Sequence, residues 1–389
     1  MPSNLGPSDT RVGTATRTSW DHGRVAHRRA LFVVAAAGAV VLAVAPAGAQ
    51  RSHGRGALTV SQRFDLSKGV YVEGSMSYLN VSHRGRVVLR RVRQGPVRVR
   101  LRPGAGLYRV GSFQRPCDGN CSLLDPPTDR CSRRVRVYAG ESARVRILTR
   151  PGHGCVVRVL EPDAFPSTRR VRAARRFARG RAMSAFALID THGRLRGLAP
   201  HRRYVTASVV KAMLLVGRLR QLGGHLPSSS DRAVLDPMIR VSDNGSADAA
   251  YRWVGDAGLV AVGKAAGMHD LVVPGGHWGN VQFSAADQAR LFLRIERLVP
   301  RRSRPYALRL LSSIVSYQRW GFSRFSLRRG WHTYFKGGWR QTGLGSLVHE
   351  AALFERGGRR FSLAVLTDGN PSHDYGTETL RGVAHRLFR

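Results

Sequence analysis

The hydrophobic period of this chain changes once, near residue 161, and that change limits its possible folds more than any other feature. From Gln50 to about Leu160 apolar and polar residues alternate. In residues 97–102 (VRVRLR), Val97, Val99 and Leu101 fall on one side and Arg98, Arg100 and Arg102 on the other. Residues 134–138 (RVRVY) and 143–148 (ARVRIL) repeat the pattern. Period two in short segments, broken by turns such as RPGAG and RPGHG, predicts antiparallel strands with one face in water. The two prolines of residues 161–167 (EPDAFPS) then interrupt the pattern, and residues 161–166 read as a linker. Beyond them the spacing becomes helical, with Val171, Ala174, Phe177 and Ala178 recurring between Ser167 and about Arg181. Residues 183–190 (MSAFALID) read as a strand, THG as a turn, RLRGLAP as a second strand, and the run from Ala207 as a helix. A chain of 389 residues can hold two cores. We therefore expect a small all-β domain over residues 50–160 and a mixed domain over residues 167–389.

Residues 1–49 read as an export signal. A basic segment ends in His27-Arg28-Arg29, an apolar run follows from Ala30 to about Ala45, and Ala47-Gly48-Ala49 gives a small-residue cleavage pattern. The run is shorter than the roughly 20 residues a spanning helix needs, so cleavage is expected rather than anchoring. The Arg28-Arg29 pair resembles a twin-arginine signal. Export to the cell envelope or beyond permits disulfides. The four cysteines, Cys117, Cys121, Cys131 and Cys155, are clustered, which predicts two local disulfides in one of three pairings. The sequence favours Cys121–Cys131, closing the SLLDPPTDR loop, with Cys117–Cys155 tying strands together. Their spacing fits no zinc finger, and neither a metal nor a cofactor is expected.

The formal charge of +40 implies attraction to anionic partners. The chain has no zinc-finger spacing, no RNA-recognition signature and no basic block interleaved with aromatics, so nucleic acid is disfavoured. An anionic cell-envelope polymer remains, the arginine faces of the strands being its site or merely a solvated surface.

Among the 64 basic Lys and Arg residues only four are lysines: Lys68, Lys211, Lys264 and Lys336. Lys211 lies three residues after Ser208 in the otherwise small and apolar run ASVVKAMLL. On a helix that spacing puts both side chains on one face. A desolvated lysine can lose its proton and accept one from a serine, which arginine cannot do. Two further pieces follow: Ser242-Asp243-Asn244, after the helical stretch VLDPMIR, and Lys336-Gly337-Gly338, in an aromatic strand-like context.

In this order the three pieces resemble the motifs of the penicillin-recognising serine enzymes. Residues 165–389, most plainly from about 182 onward, resemble the class A β-lactamase and penicillin-binding-protein superfamily. The SAFALID-THG-RLRGL hairpin, FSAADQARLF, KGGW, GSLVHEAALFE, RFSLAVLTDG and the closing TETLRGVAHRLF fit that layout. The resemblance implies an α+β fold: an antiparallel five-stranded sheet flanked by helices, and a helical lobe with the site between them. It implies Ser208 as acylated nucleophile, Lys211 as its activator, Ser242 as proton relay to the leaving nitrogen, and Lys336 as a source of positive potential. It further implies Asn244, Gly338 and Trp339 as substrate-binding positions, with the backbone N–H groups of Ser208 and Trp339 as oxyanion hole. Asp243 is expected to be structural. The implied substrate is a β-lactam or a cell-wall peptide.

Three departures qualify this. Gly337 stands where the family has Ser or Thr, a hydroxyl that helps hold a substrate carboxylate. Residues 269–287 contain no glutamate to position a deacylating water. Only 34 positions separate Ser208 from Ser242, which predicts a reduced helical lobe. Asp270 is left open as a replacement for the missing base, Asp287 reads as a capping box with Ser284, and Glu296 reads as a solvated or paired helix-face residue. His277 is an alternative base, and Trp278 could line the cleft. Trp320, Trp331, Tyr334 and Trp339 cluster around the third motif, for packing or as a wall for a sugar or peptide. The expectation is a serine hydrolase competent in acylation and impaired in deacylation. The competing reading is a non-hydrolytic binding module.

Overall fold

The computed structural model describes residues 54–67, 73–327 and 330–388, without the side chains of 325–327. The expected export signal lies outside the described residues. Residues from Arg51 to Arg389 form one compact unit containing two hydrophobic cores.

The first core lies between two four-stranded sheets. Eight strands build them: β1 (Ala57–Phe64), β2 (Gly74–His83), β3 (Arg86–Gln94), β4 (Arg98–Leu101), β5 (Gly106–Cys117), β6 (Thr128–Val137), β7 (Ser142–Arg150) and β8 (Gly154–Leu160). One sheet runs β4-β1-β7-β8 and the other β3-β2-β5-β6. The period-two pattern does what it predicts. Val60, Val81, Val110, Val135, Val145 and Ile147 turn inward and are buried, while the intervening arginines stay in water. Burying each such side chain stabilises by about 1.5–3 kcal/mol, which fixes which face is inside. One pairing departs from the antiparallel expectation: β1 and β7 run parallel, Leu58 opposite Ala143 and Val60 opposite Val145.

The disulfides are Cys117–Cys121 and Cys131–Cys155, not the pairing the sequence favoured. The register explains the correction. Cys131 pairs across from Ser112, five residues up β5 from Cys117 and so about 17 Å away along the strand. Cys155 on β8 instead comes within 5.6 Å, Cα to Cα, and the bond joins the edge strands of the two sheets. Cys117 closes onto the turn that follows it, opposite Gly74, where a Cβ would lie 3.0 Å from one sulfur and 3.1 Å from the other.

The second core belongs to a mixed unit. Its elements are α1 (Thr168–Arg179), β9 (Ser184–Ile189), β10 (Leu195–Leu198), β11 (Arg203–Val205), α2 (Lys211–Gln221), α3 (Ser229–Arg240), α4 (Asn244–Ala266), β12 (Gln282–Ser284), α5 (Ala285–Leu298), α6 (Arg304–Ser312), α7 (Phe322–Leu327), β13 (His332–Thr342), β14 (Gly345–Arg356), β15 (Arg359–Asn370) and α8 (His373–Phe388). The sheet is five-stranded and antiparallel, in the order β10-β9-β15-β14-β13. Helices α1 and α8 cover one face and α5 the other, which is why β9 and most of β14 are buried on both faces. Helices α2, α3 and α4 form the short helical lobe, α4 kinking at Gly255. This is the α+β architecture expected, with a disulfide-stapled all-β module ahead of it.

The two parts meet through specific contacts. The Glu141 side chain is buried and hydrogen-bonded to His192 Nε2 at 2.9 Å, and Arg359 Nε lies 3.9 Å away. The Tyr138 and His192 rings stack at 3.6 Å. Phe165, in the segment read as a linker, packs on Trp331, Phe361 and Phe388.

Candidate active site

Ser208 stands on a tight 3-10 turn, Ala207–Val210, and α2 begins only at Lys211. The sequence suggested a helix from Ala207 onward. Ala207 instead adopts a left-handed φ of 43°, which an α-helix cannot contain. Residues three apart eclipse one another in a 3-10 turn, so Ser208 and Lys211 still share a face. The edge strand β13 closes against this turn. A Cβ on Gly338 would lie 2.8 Å from Ser208 N and 2.9 Å from Val209 N, so only glycine allows the approach.

Ser242 closes the lobe side. It follows α3 with φ 60°, a strained conformation for serine. Its neighbours hold it there: Gln318 Nε2 donates to Val241 O at 2.6 Å and Asp243 N to Pro237 O at 3.2 Å. Asp243 caps α4, accepting from Ser246 N at 2.7 Å, the structural part expected of it.

Three of the four predicted catalytic side chains are linked by hydrogen bonds, and the fourth, Ser208, stands on the turn that leads into Lys211. Lys211 Nζ donates to Ser242 O at 2.6 Å, to Asn244 Oδ1 at 2.7 Å and to Ser242 Oγ at 3.3 Å. Lys336 Nζ donates to Ser242 Oγ at 3.0 Å and to Gly337 O at 2.9 Å. Both acceptor positions of the Ser242 hydroxyl are thereby taken, which leaves its own proton free to be donated into the cleft.

Both lysines are buried. Burial lowers the Lys211 pKa to about 8, against the opposing fields of Asp243 and Asp248. Burial, and then the charge of Lys211, pushes Lys336 well below the usual lysine range. Lys211 has three acceptors, the number an ammonium needs, and Lys336 has two, the number a neutral amine needs. Two ammonium groups sharing one hydroxyl in a dry site repel, which is the direction in which Lys211 acts on Lys336.

The loop between α4 and α5 supplies the other wall. Trp278 is buried with its ring centroid 5.0 Å from Lys211 Nζ. Its Nε1 donates to Asp248 Oδ1 at 2.7 Å. His277 lies beside it, Nε2 3.6 Å from Asp248 Oδ1, while its Nδ1 accepts from Gly279 N at 2.9 Å. Asp248 was not singled out from the sequence, although its position four residues after Asn244 puts the two on one face of α4. The carboxylates that were weighed lie elsewhere. Asp270 bonds His201 and Ser284, Asp287 caps α5 as expected, and Glu296 meets Arg360.

The aromatic cluster divides. Trp331 packs in the core with Phe361 and Phe388. Trp320, Trp339 and His373 meet edge to face beside β13, Trp339 remaining 43% exposed. A Cβ on Gly337 would lie 3.0 and 3.1 Å from two atoms of the Trp320 ring, so that indole fills the space a Ser or Thr would need. The Trp320 segment is pinned from below: the buried Glu350 carboxylate accepts from Phe322 N at 2.6 Å, and burial raises its pKa to about 7.

Residues 228–389 match a family described as the beta-lactamase enzyme family. That span includes Ser242, Asn244 and Lys336 and begins after Ser208 and Lys211. No curated protein matches the chain. Among solved structures, a variant of PBP-A in an acyl-enzyme complex with penicillin G is 18% identical, the match covering 58% of this chain and 97% of that one at a TM-score of 0.50. A β-lactamase from Chitinophaga pinensis is 13% identical over 56% of this chain and 98% of its own, with a TM-score of 0.49. A class A β-lactamase from Mycobacterium abscessus is 16% identical over 57% and 98%, with a TM-score of 0.47. At such identities the likeness speaks to fold alone.

Proposed function

The second half of this chain resembles the class A β-lactamase and penicillin-binding-protein superfamily in the family it matches and in its fold, and from that premise we propose an exported serine hydrolase that forms an acyl-enzyme on Ser208. Its substrate is a β-lactam or a peptidoglycan-type amide or ester. One observation carries the reading: both lysines donate to the Ser242 hydroxyl, and Lys211 directly follows the turn that presents Ser208.

Lys211, with a pKa near 8, is neutral in about a tenth of molecules at pH 7 and then takes the Ser208 proton. The Ser208 oxygen attacks the carbonyl carbon, and the carbonyl oxygen turns to the N–H groups of Ser208 and Trp339. Ser242 passes its proton to the leaving nitrogen and is reprotonated through the lysine it bonds. Asn244 holds the substrate amide, and Gly338 gives the close approach that aligns strand and turn.

A second reading is favoured by the Trp320 ring beside Gly337, where a carboxylate-binding hydroxyl is missing: a binding module that captures ligand without releasing it. A chromogenic cephalosporin and a labelled penicillin separate the two. Turnover supports hydrolysis, and a lasting adduct abolished by Ser208→Ala supports acylation without release. Neither signal, with these or with peptidoglycan-peptide amides and aryl esters, refutes both.

The basic leader pattern of residues 1–49 supports export to the cell envelope or beyond it. There the arginine face of the β-module gives it a partner, an anionic envelope polymer. Arg98, Ser61, Arg146 and Arg158 align across four strands, with Arg100, Thr59 and Arg144 in a second row. All five arginines are exposed.

A further inference from the structure

Release of an acyl group from Ser208 needs a base for the attacking water, and the loop where one was expected holds no glutamate. We propose that Asp248 is that base. The inference rests on the acyl-enzyme reading above.

Position comes first. Asp248 lies one turn beyond Asn244 on α4, and Asn244 Oδ1 is bonded to Lys211 Nζ at 2.7 Å. Trp278 spans the rest of the gap, with its ring 5.0 Å from Lys211 Nζ and its Nε1 2.7 Å from Asp248 Oδ1. A rigid indole thus ties the carboxylate to the lysine that adjoins Ser208. Two carboxylates act on Lys211 through their fields, Asp243 and Asp248. Asp243 is committed to the α4 cap. Asp248 commits Oδ1 to the indole, and its side chain is 48% exposed, so Oδ2 can meet water.

The neighbouring histidine is excluded by its own bonds. Its Nδ1 accepts from Gly279 N, so in the neutral ring the proton sits on Nε2, facing Asp248. His277 therefore orients the carboxylate and has no lone pair left to take a proton from water.

The step balances without a further reactant. Water oxygen bonds to the acyl carbon and one water proton passes to Asp248 Oδ2. The bond from carbon to Ser208 Oγ then breaks, and Oγ takes back a proton from Lys211. The products are a free carboxylic acid and the regenerated hydroxyl, the proton on Asp248 returning to solvent and one from solvent to Lys211.

Asp248→Asn separates chemistry from scaffolding, because an amide oxygen still accepts from Trp278 Nε1 while the base is gone. The full chain is mixed with a fluorescent penicillin and with a chromogenic aryl ester, and burst, steady state and intact mass are followed. Wild type is expected to show a burst followed by turnover. Asp248→Asn is expected to keep the burst, slow the steady state by about 10²–10⁴-fold and accumulate the adduct. Hydroxylamine, a nucleophile that needs no base, is expected to discharge that adduct. Turnover by Asp248→Asn within threefold of wild type overturns the proposal, as does a loss seen only in Asp248→Ala, which would make Asp248 a strut. A wild-type adduct that never turns over also overturns it. A wild type that takes no acyl group from any probe refutes the acyl-enzyme reading itself, a distinguishable result.

Discussion

Lys211 and Lys336 flank one buried hydroxyl, and burial lowers the pKa of both lysines. Lys211 has its pKa lowered to about 8, so the population able to accept a proton grows as pH rises through that value. Acylation is predicted to climb from pH 6.5 to 9 with an apparent pKa near 8, belonging to the lysine pair as a unit. Burst rates across that range check it, and a flat profile counts against it. Lys211→Met, similar in length and without a proton acceptor, should slow the burst by about 10²–10⁴-fold. Residues of this kind were legible in the sequence because the chemistry dictates both type and spacing. Asp248 was not, and Trp278 was read only as a cleft lining, because their partnership crosses from a helix to a loop 30 residues away. The Trp320 ring beside Gly337 is likewise a tertiary fact. The absent hydroxyl could be read from the sequence, but not the indole that occupies its place.

At the scale of elements, β13 and the Ser208 turn are positioned by one missing side chain. Gly338→Ala would set a methyl 2.8–2.9 Å from two backbone nitrogens and push strand and turn apart. We expect a stability loss of about 1–3 kcal/mol by urea unfolding and a larger loss in burst rate, since the proposed oxyanion donors, the N–H groups of Ser208 and Trp339, lie on the two displaced segments. A burst equal to wild type would show that the two segments need not touch. The elements themselves were largely readable: the β9–β10 hairpin, α1 and the α5 capping box followed from period and caps, and the closing strands from the family resemblance. The start of α2 did not, because the left-handed Ala207 stands where Gly338 approaches the turn, a tertiary contact. The parallel β1–β7 pair also escaped, since alternation sets which face is buried but not strand direction. Disulfide pairing escaped for the same reason, being decided by register.

The whole molecule is a strongly basic chain whose two cores are joined at a buried glutamate, Glu141, that answers to His192 and Arg359. Binding to poly(glycerol phosphate) is predicted to weaken steeply with salt as counterions are released. Replacing Arg98, Arg146 and Arg158 together by serine should reduce both the affinity and the salt slope while leaving the burst at Ser208 unchanged. Equal affinity in the triple variant would make the rows a solvated surface only. The most direct test of the account as a whole is peptide mapping after exposure to a labelled penicillin or aryl ester. The account predicts the acyl mass on the peptide bearing Ser208, absent in Ser208→Ala. Label on any other residue, or equal label in the two proteins, would contradict it.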